Sequence, residues 1–185
     1  MNILRLAFAG ALLLAGTAVA QAAEFITIQL KDGPVVIELN DKAPKHAERI
    51  KALAAAGEYD NVAFHRVIEG FMAQTGDVQY GDMEDGYQPQ AAGTGGSSQP
   101  DLPAEFSDVP FERGTVGMAR AQDPNSANSQ FFIMFAPGDF LNGQYTVVGK
   151  VVSGMEKVDK IKRGDEAANG SVTDPDRMIK VSVGK

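Results

Sequence analysis

From Phe25 onward, apolar and polar positions alternate. Ile26, Ile28 and Leu30 share one face while Thr27 and Gln29 take the other, the period of a half-buried strand. Asp32-Gly33 marks a turn, and Val35, Ile37 and Leu39 resume the alternation, so residues 25–39 predict a hairpin. The period then changes. Ala47, Ile50, Leu53 and Ala54 recur at helical spacing in a stretch rich in Ala, Leu, Lys and Glu, with Pro44 tolerated in the first turn and Gly57 as a stop. This predicts a helix over Lys45–Ala56 with those four residues facing the core. His46, beside Glu48, reads as a surface position of that helix.

Further strands are predicted over residues 62–68, 71–74, 114–119, 130–135, 145–152 and 178–183. Ser153-Gly154-Met155-Glu156 has the form of a capping box and predicts a second, short helix through Ile161, ended near Gly164. Between Asp77 and Asp108 no period holds, and Gly93-Thr94-Gly95-Gly96-Ser97-Ser98 reads as part of long surface loops. The crossings between strands are too short for βαβ units, so a mostly antiparallel sheet is expected, closed into a barrel or folded into a sandwich to remove its edges. No internal repeat and no second-domain boundary is visible.

Composition narrows the function. A chain of 185 residues, 44% hydrophobic and 22% charged, is long and apolar enough for one domain with a sizeable core. Its net charge of -7 argues against nucleic-acid binding and against docking on an anionic membrane. It has no cysteine, which excludes a disulfide framework, a thiolate nucleophile and Cys-ligated metals. Two histidines, His46 and His65, are too few for a three-His metal site. The serine elbow, zinc-protease, phosphate-loop and dinucleotide motifs are absent. No cofactor is expected.

Residues 1–22 read as a targeting segment. A single base, Arg5, precedes an apolar run over residues 6–15, and Ala18-Val19-Ala20 and Ala20-Gln21-Ala22 fit the small-residue cleavage pattern. The run is too short and too rich in Ala and Gly for a membrane anchor. Cleavage after Ala22 is expected, leaving residues 23–185 as one domain working outside the cytoplasm, with a bacterial periplasm the best fit and no lasting membrane insertion. A cysteine-free chain suits an oxidising compartment.

Candidate chemistry lies in a few places. Asp82, Glu84 and Asp85 form an acidic group that, with His65, would suit a hydrolase; the simpler reading is a solvated loop. Asn169-Gly170-Ser171 matches a glycosylation acceptor, a pattern short enough to arise by chance. Two runs stand out more. In Phe64-His65-Arg66-Val67-Ile68-Glu69-Gly70-Phe71-Met72-Ala73-Gln74, one arginine sits in a strand among large apolar groups. In Gln130-Phe131-Phe132-Ile133-Met134-Phe135, alternation puts Gln130, Phe132 and Met134 on one face and Phe131, Ile133 and Phe135 on the other. One face can fill the core. The other, rimmed by Arg and Gln, suggests a binding groove.

At these residues the chain resembles the cyclophilin-type peptidyl-prolyl cis-trans isomerases, in particular the bacterial secreted kind. The match runs from Phe25 to Val183 and is strongest in Phe64-His65-Arg66, Gly70-Phe71-Met72-Ala73-Gln74, Ser129-Gln130-Phe131-Phe132-Ile133, Leu141-Asn142-Gly143 and Val147-Val148-Gly149-Lys150-Val151. The resemblance implies a mainly β fold, a closed eight-stranded antiparallel barrel capped by two α-helices. It implies that Arg66 is catalytic and supported by Gln74, and that Phe71, Met72, Phe132 and Leu141 wall a proline pocket. Ala119 and Gln130 match groove residues. Arg120 stands where many members have an asparagine that holds substrate through its backbone. The pattern departs at Glu69, in place of a proline, at Phe140, in place of a tryptophan that favours cyclosporin binding, and at Tyr145, in place of a pocket histidine. The implied substrates are proline-containing polypeptides. A monomer that assists the folding of exported proteins is the expected form. The competing reading is a non-catalytic module or chaperone that holds proline segments in the same groove.

Overall fold

The structure, a computed structural model, describes residues 23–184. The targeting segment expected over residues 1–22 lies outside them. The elements run β1 (Phe25–Leu30), β2 (Gly33–Leu39), α1 (Pro44–Ala56), β3 (Val62–Ala63), β4 (Arg66–Ile68), β5 (Met72–Thr75), β6 (Thr115–Met118), β7 (Phe131–Met134), β8 (Val147–Ser153), α2 (Met155–Val158), β9 (Arg177–Met178) and β10 (Lys180–Gly184). Short 3-10 turns at Asp139–Leu141 and Glu166–Ala168 complete the set. Among the described residues, no helix is long and apolar enough to cross a membrane.

Eight strands form one curled antiparallel sheet in the order β10-β1-β2-β8-β6-β7-β5-β4, and β3 pairs with β9 separately. The closed barrel expected from the resemblance is therefore corrected: β10 and β4 end the sheet and do not pair with each other. The edge of β4 is occupied instead by the 164–171 loop. Val67 N–H donates to Gly170 O at 2.8 Å, Gly164 N–H donates to Val67 O at 2.8 Å, and Arg66 bridges Ser171. A loop that satisfies the strand's backbone groups protects the edge as closure would.

The hairpin and first helix form where the periods place them. Ile26, Ile28, Leu30, Val35, Ile37 and Leu39 are buried, and so are Ala47, Ile50, Leu53 and Ala54. Gly57 ends α1 in the left-handed region at φ 77°, where its N–H caps Ala54 O and Glu58 N–H reaches Leu53 O. His46 corrects the surface reading, because it is fully buried. The aperiodic 101–108 stretch lies over the start of α1, and Glu105 accepts from the backbone N–H groups of Lys45 and His46 and lies 2.6 Å from His46 Nδ1. That carboxylate satisfies helix donors that lack a side-chain cap of their own.

Two other expectations change. The strand expected over 62–68 is split into β3 and β4, with Phe64 and His65 between them. The capping box does not form. Ser153 remains in β8 opposite Val36, and Gly154, at φ 86°, takes the cap position without a side-chain bond. The resulting helix is a single turn, four residues long.

Candidate active site

The two faces of β7 separate as its alternation requires. Phe131, Ile133 and Phe135 join the main core with α1 and the hairpin. Phe132 and Met134 join a second apolar cluster with Met72, Phe111, Leu141 and Val147, edged by Ile68, Phe71, Val109, Ala119 and Tyr145. Cross-strand register builds the site around this second cluster. Gln74 on β5 faces Arg66 on β4 and Phe132 on β7, while Gly117 on β6 faces Phe132 from the other side.

Phe132 is the centre of the aromatic wall. It stacks on Phe111, with ring centroids 5.8 Å apart and an interplanar angle of 19°, and meets Tyr145 edge-on at 6.0 Å. Gly117 is needed for this packing: a Cβ there would lie 2.4 Å from Phe132 Cζ and 2.6 Å from Phe111 Cε1. On the far rim, Phe140 is 65% exposed and packs on Phe71 with centroids 5.6 Å apart. The Arg120 guanidinium lies 4.3 Å over the Tyr145 ring and donates to Gln144 O, Ala121 O and Gln122 O.

A polar chain runs beside the wall. Arg66 Nη1 donates to Gln74 Oε1 at 3.2 Å and lies 4.0 Å from Met72 Sδ. Gln74 Nε2 donates to Gln130 Oε1 at 2.9 Å, and Gln130 Nε2 donates to Gly95 O at 2.8 Å. The 93–95 loop is fixed in turn by the buried Asp77 carboxylate, which accepts from the N–H groups of Gly93 and Gly95. On its other side Arg66 donates through Nε to Asn169 O and through Nη2 to Asn169 Oδ1, both at 3.0 Å. Burial lowers the Arg66 pKa from its ordinary value, and a guanidinium so placed is still a cation at neutral pH. Gln74, Ala119, Arg120 and Gln130 also line a hollow of about 400 Å³ shared with Gly95 and Asn128.

The residues expected at the site therefore converge. Arg66, Gln74 and Gln130 are hydrogen-bonded in series, Phe71, Met72, Ala119, Phe132, Leu141 and Tyr145 share one apolar cluster, and Phe140 and Arg120 frame it. Sequence reading assigned no site role to Phe111, Gly117 or Asn169, although Gly117 opens the run Gly117-Met118-Ala119-Arg120 that leads into the groove residues. Phe111 lies between the loops that end at Asp108 and the strand expected from Gly114, in neither pattern, and Asn169 stands out only as part of a chance acceptor tripeptide. The acidic group of the hydrolase reading is not a site of this kind. Asp82 accepts from the N–H groups of its own turn, Glu84 is bound to Asn61 and Arg177, and His65 is buried against Gly93. Glu69, the departure before Gly70, pairs with Arg163.

Comparison with known proteins decides the family. Residues 25–183 match the model of the cyclophilin type peptidyl-prolyl cis-trans isomerases. The chain belongs to the cyclophilin family. A probable peptidyl-prolyl cis-trans isomerase of Brucella suis is 65% identical over 159 residues, 85% of this chain and 81% of the relative. Peptidyl-prolyl cis-trans isomerase B of Escherichia coli is 38% identical over 146 residues, covering 74% of this chain and 83% of that one. A crystal structure of a Cryptosporidium parvum cyclophilin aligns with a TM-score of 0.74 at 27% identity, over 89% of this chain and 99% of that one. The same protein solved in the presence of the dipeptide Ala-Pro aligns with a TM-score of 0.73 at 28% identity, over 87% and 99%. This cyclophilin is thus an enzyme of the peptidyl-prolyl isomerase class.

Proposed function

We propose that this cyclophilin isomerises X-Pro bonds by stabilising the twisted amide with the Arg66 guanidinium while the apolar cluster holds the proline ring. The observation that carries the proposal is the placement of Arg66, tethered through Gln74 and set beside Met72 at the edge of the Phe132 cluster.

The chemistry needs no covalent step. Rotation about a peptide bond breaks amide resonance across a barrier of ~18–20 kcal/mol, so an unaided X-Pro bond takes tens to hundreds of seconds. At the top of the barrier the prolyl nitrogen is pyramidal and regains a lone pair; in either planar isomer that pair is delocalised and accepts poorly. A guanidinium N–H aimed at the nitrogen therefore binds the transition state more strongly than either ground state, the only kind of interaction that raises the rate. Reaching milliseconds requires ~10⁴-fold, about 5–6 kcal/mol. One charged hydrogen bond in a partly dry groove, together with an immobilised ring, is of that order.

In this reading Phe71, Met72, Phe132 and Leu141 grip the ring, Tyr145 and Phe140 extend the wall, and Gln74 orients Arg66. Ala119, Arg120 and Gln130 border the strand of substrate that precedes the proline. The pattern of residues 1–22 supports export through a cleaved leader and work on exported clients in the periplasm, and the net charge of -7 supports a protein without nucleic-acid or lasting membrane attachment, with a monomer as the simplest form.

A protease-coupled assay on a proline tetrapeptide, in which cleavage waits for the trans isomer, tests the proposal. Arg66→Ala is expected to lower kcat/KM by at least about tenfold, ~1.4 kcal/mol, while circular dichroism stays that of the wild type. A folded Arg66→Ala protein with wild-type turnover would overturn it and leave the groove a holding site.

A further inference from the structure

Arg66 offers five N–H donors in a rigid fork. Gln74 Oε1 takes one on Nη1, Asn169 O takes Nε–H, and Asn169 Oδ1 takes one on Nη2. One N–H on Nη2 is left without a partner among the described residues, and the second on Nη1 meets only the Met72 sulfur, at 4.0 Å. Gln74 alone is a single tether and would let the guanidinium swing about its Cδ–Nε bond. Asn169 grips the opposite edge at two points and fixes the plane.

We infer that Asn169 is a positioning residue for the isomerase reaction: it locks the Arg66 guanidinium so that its Nη edge stays turned toward Met72 and the groove. The inference rests on the assignment of Arg66 as the group that meets the prolyl nitrogen.

The loop is built for this. Asn169 sits in the left-handed region at φ 54° and ψ 35°, a conformation Asn tolerates better than most residues. In that conformation its carbonyl and its side-chain oxygen both reach the same guanidinium. The loop cannot drift from β4. Asp165 Oδ1 caps the turn at Ala167 N–H, Gly170 N–H donates to Asp165 O at 2.8 Å, and Gly170 O accepts from Val67 N–H. Gly170 fits only as glycine: at φ 80°, a Cβ there would lie 2.5 Å from Ile68 Cγ1. The loop that covers the sheet edge is thus held in register with the strand that carries Arg66.

Two substitutions separate the side-chain contact from the fold. Asn169→Gly keeps the left-handed backbone and its carbonyl but removes Oδ1. Asn169→Asp keeps an oxygen at the Oδ1 position. The readouts are kcat and KM for a proline peptide, and NMR exchange of the Arg66 Nη2 group by rotation about the Nε–Cζ bond. Asn169→Gly is expected to lower kcat about fivefold with KM changed less than about twofold, and to make the Arg66 Nη2 group mobile. Asn169→Asp is expected to return both the rate and the Nη2 rigidity to within about twofold of wild type. If Asn169→Gly fails to fold, Asn169→Ser, whose hydroxyl is too short to reach Nη2, carries the same expectation. Wild-type kcat with a mobile Nη2, an Nη2 as rigid as in the wild type, or a loss appearing wholly in KM would each overturn the inference. Failure of the Arg66 assignment would look different: Arg66→Ala itself would turn over normally.

Discussion

The Arg120 guanidinium lies 4.3 Å over the Tyr145 ring, and the same ring meets Phe132 edge-on at 6.0 Å. One charged side chain on the loop after β6, tied to three loop carbonyls, therefore packs on a ring that edges the apolar cluster. Such a contact contributes about 0.5–1 kcal/mol near the surface. Arg120→Ala is expected to weaken proline-peptide binding about two- to fivefold by calorimetric titration, with Arg120→Lys restoring only part because it lacks the planar fork. Unchanged affinity in Arg120→Ala would show that Tyr145 is held without it.

Gly117 gives a test of the aromatic wall from behind. An added methyl would press on two rings that are themselves packed, Phe111 being fully buried and Phe132 nearly so. Overpacking of this kind destabilises by about 1–3 kcal/mol, or forces the rings into the pocket. Gly117→Ala is expected to lower the urea midpoint and to raise KM for a proline peptide together. A variant with both unchanged would mean that the wall yields freely.

The same neighbourhood shows what a sequence can and cannot reveal. The alternation of residues 130–135 separates core from pocket because a strand's period is fixed by its geometry, and one pattern places Phe131 and Phe132 on opposite faces. His46 was misread because its burial comes from Glu105, 59 residues away in a loop without period. The capping box failed because Ser153 was claimed by β8 and Gly154 accepted the left-handed cap position. Asn169 was invisible because its role depends on a loop folding back against β4, and a tripeptide carries no record of that return. Long-range contacts made by irregular backbone are where local pattern ends.

His65 sets a pH dependence. It is 7% exposed, lies against Gly93, and among the described residues neither ring nitrogen has a hydrogen-bond partner. Burial pushes its pKa below the ordinary histidine value, with the nearby Asp77 carboxylate pulling the other way. The unfolded chain takes up this proton near pH ~6.5, while the folded chain does so only at lower pH. Stability is then full above ~6.5 and falls as the pH drops below it, by at most about 1.4 kcal/mol per pH unit for this group. Urea unfolding at pH 7.5 and 5.5 should show a smaller acid loss in His65→Gln than in the wild type. Equal losses would mean that His65 is protonated alike in both states.

The most direct test of the mechanism separates rate from binding on the enzyme itself. NMR exchange on a saturating Ala-Pro peptide gives the cis–trans rate of the bound peptide, and the same titration gives Kd. For Arg66→Ala, the bound-state rate should fall at least about tenfold while Kd rises no more than about threefold, because the guanidinium acts on the twisted amide and not on either planar isomer. A bound-state rate equal to that of the wild type, with the whole loss in Kd, would contradict transition-state stabilisation by Arg66.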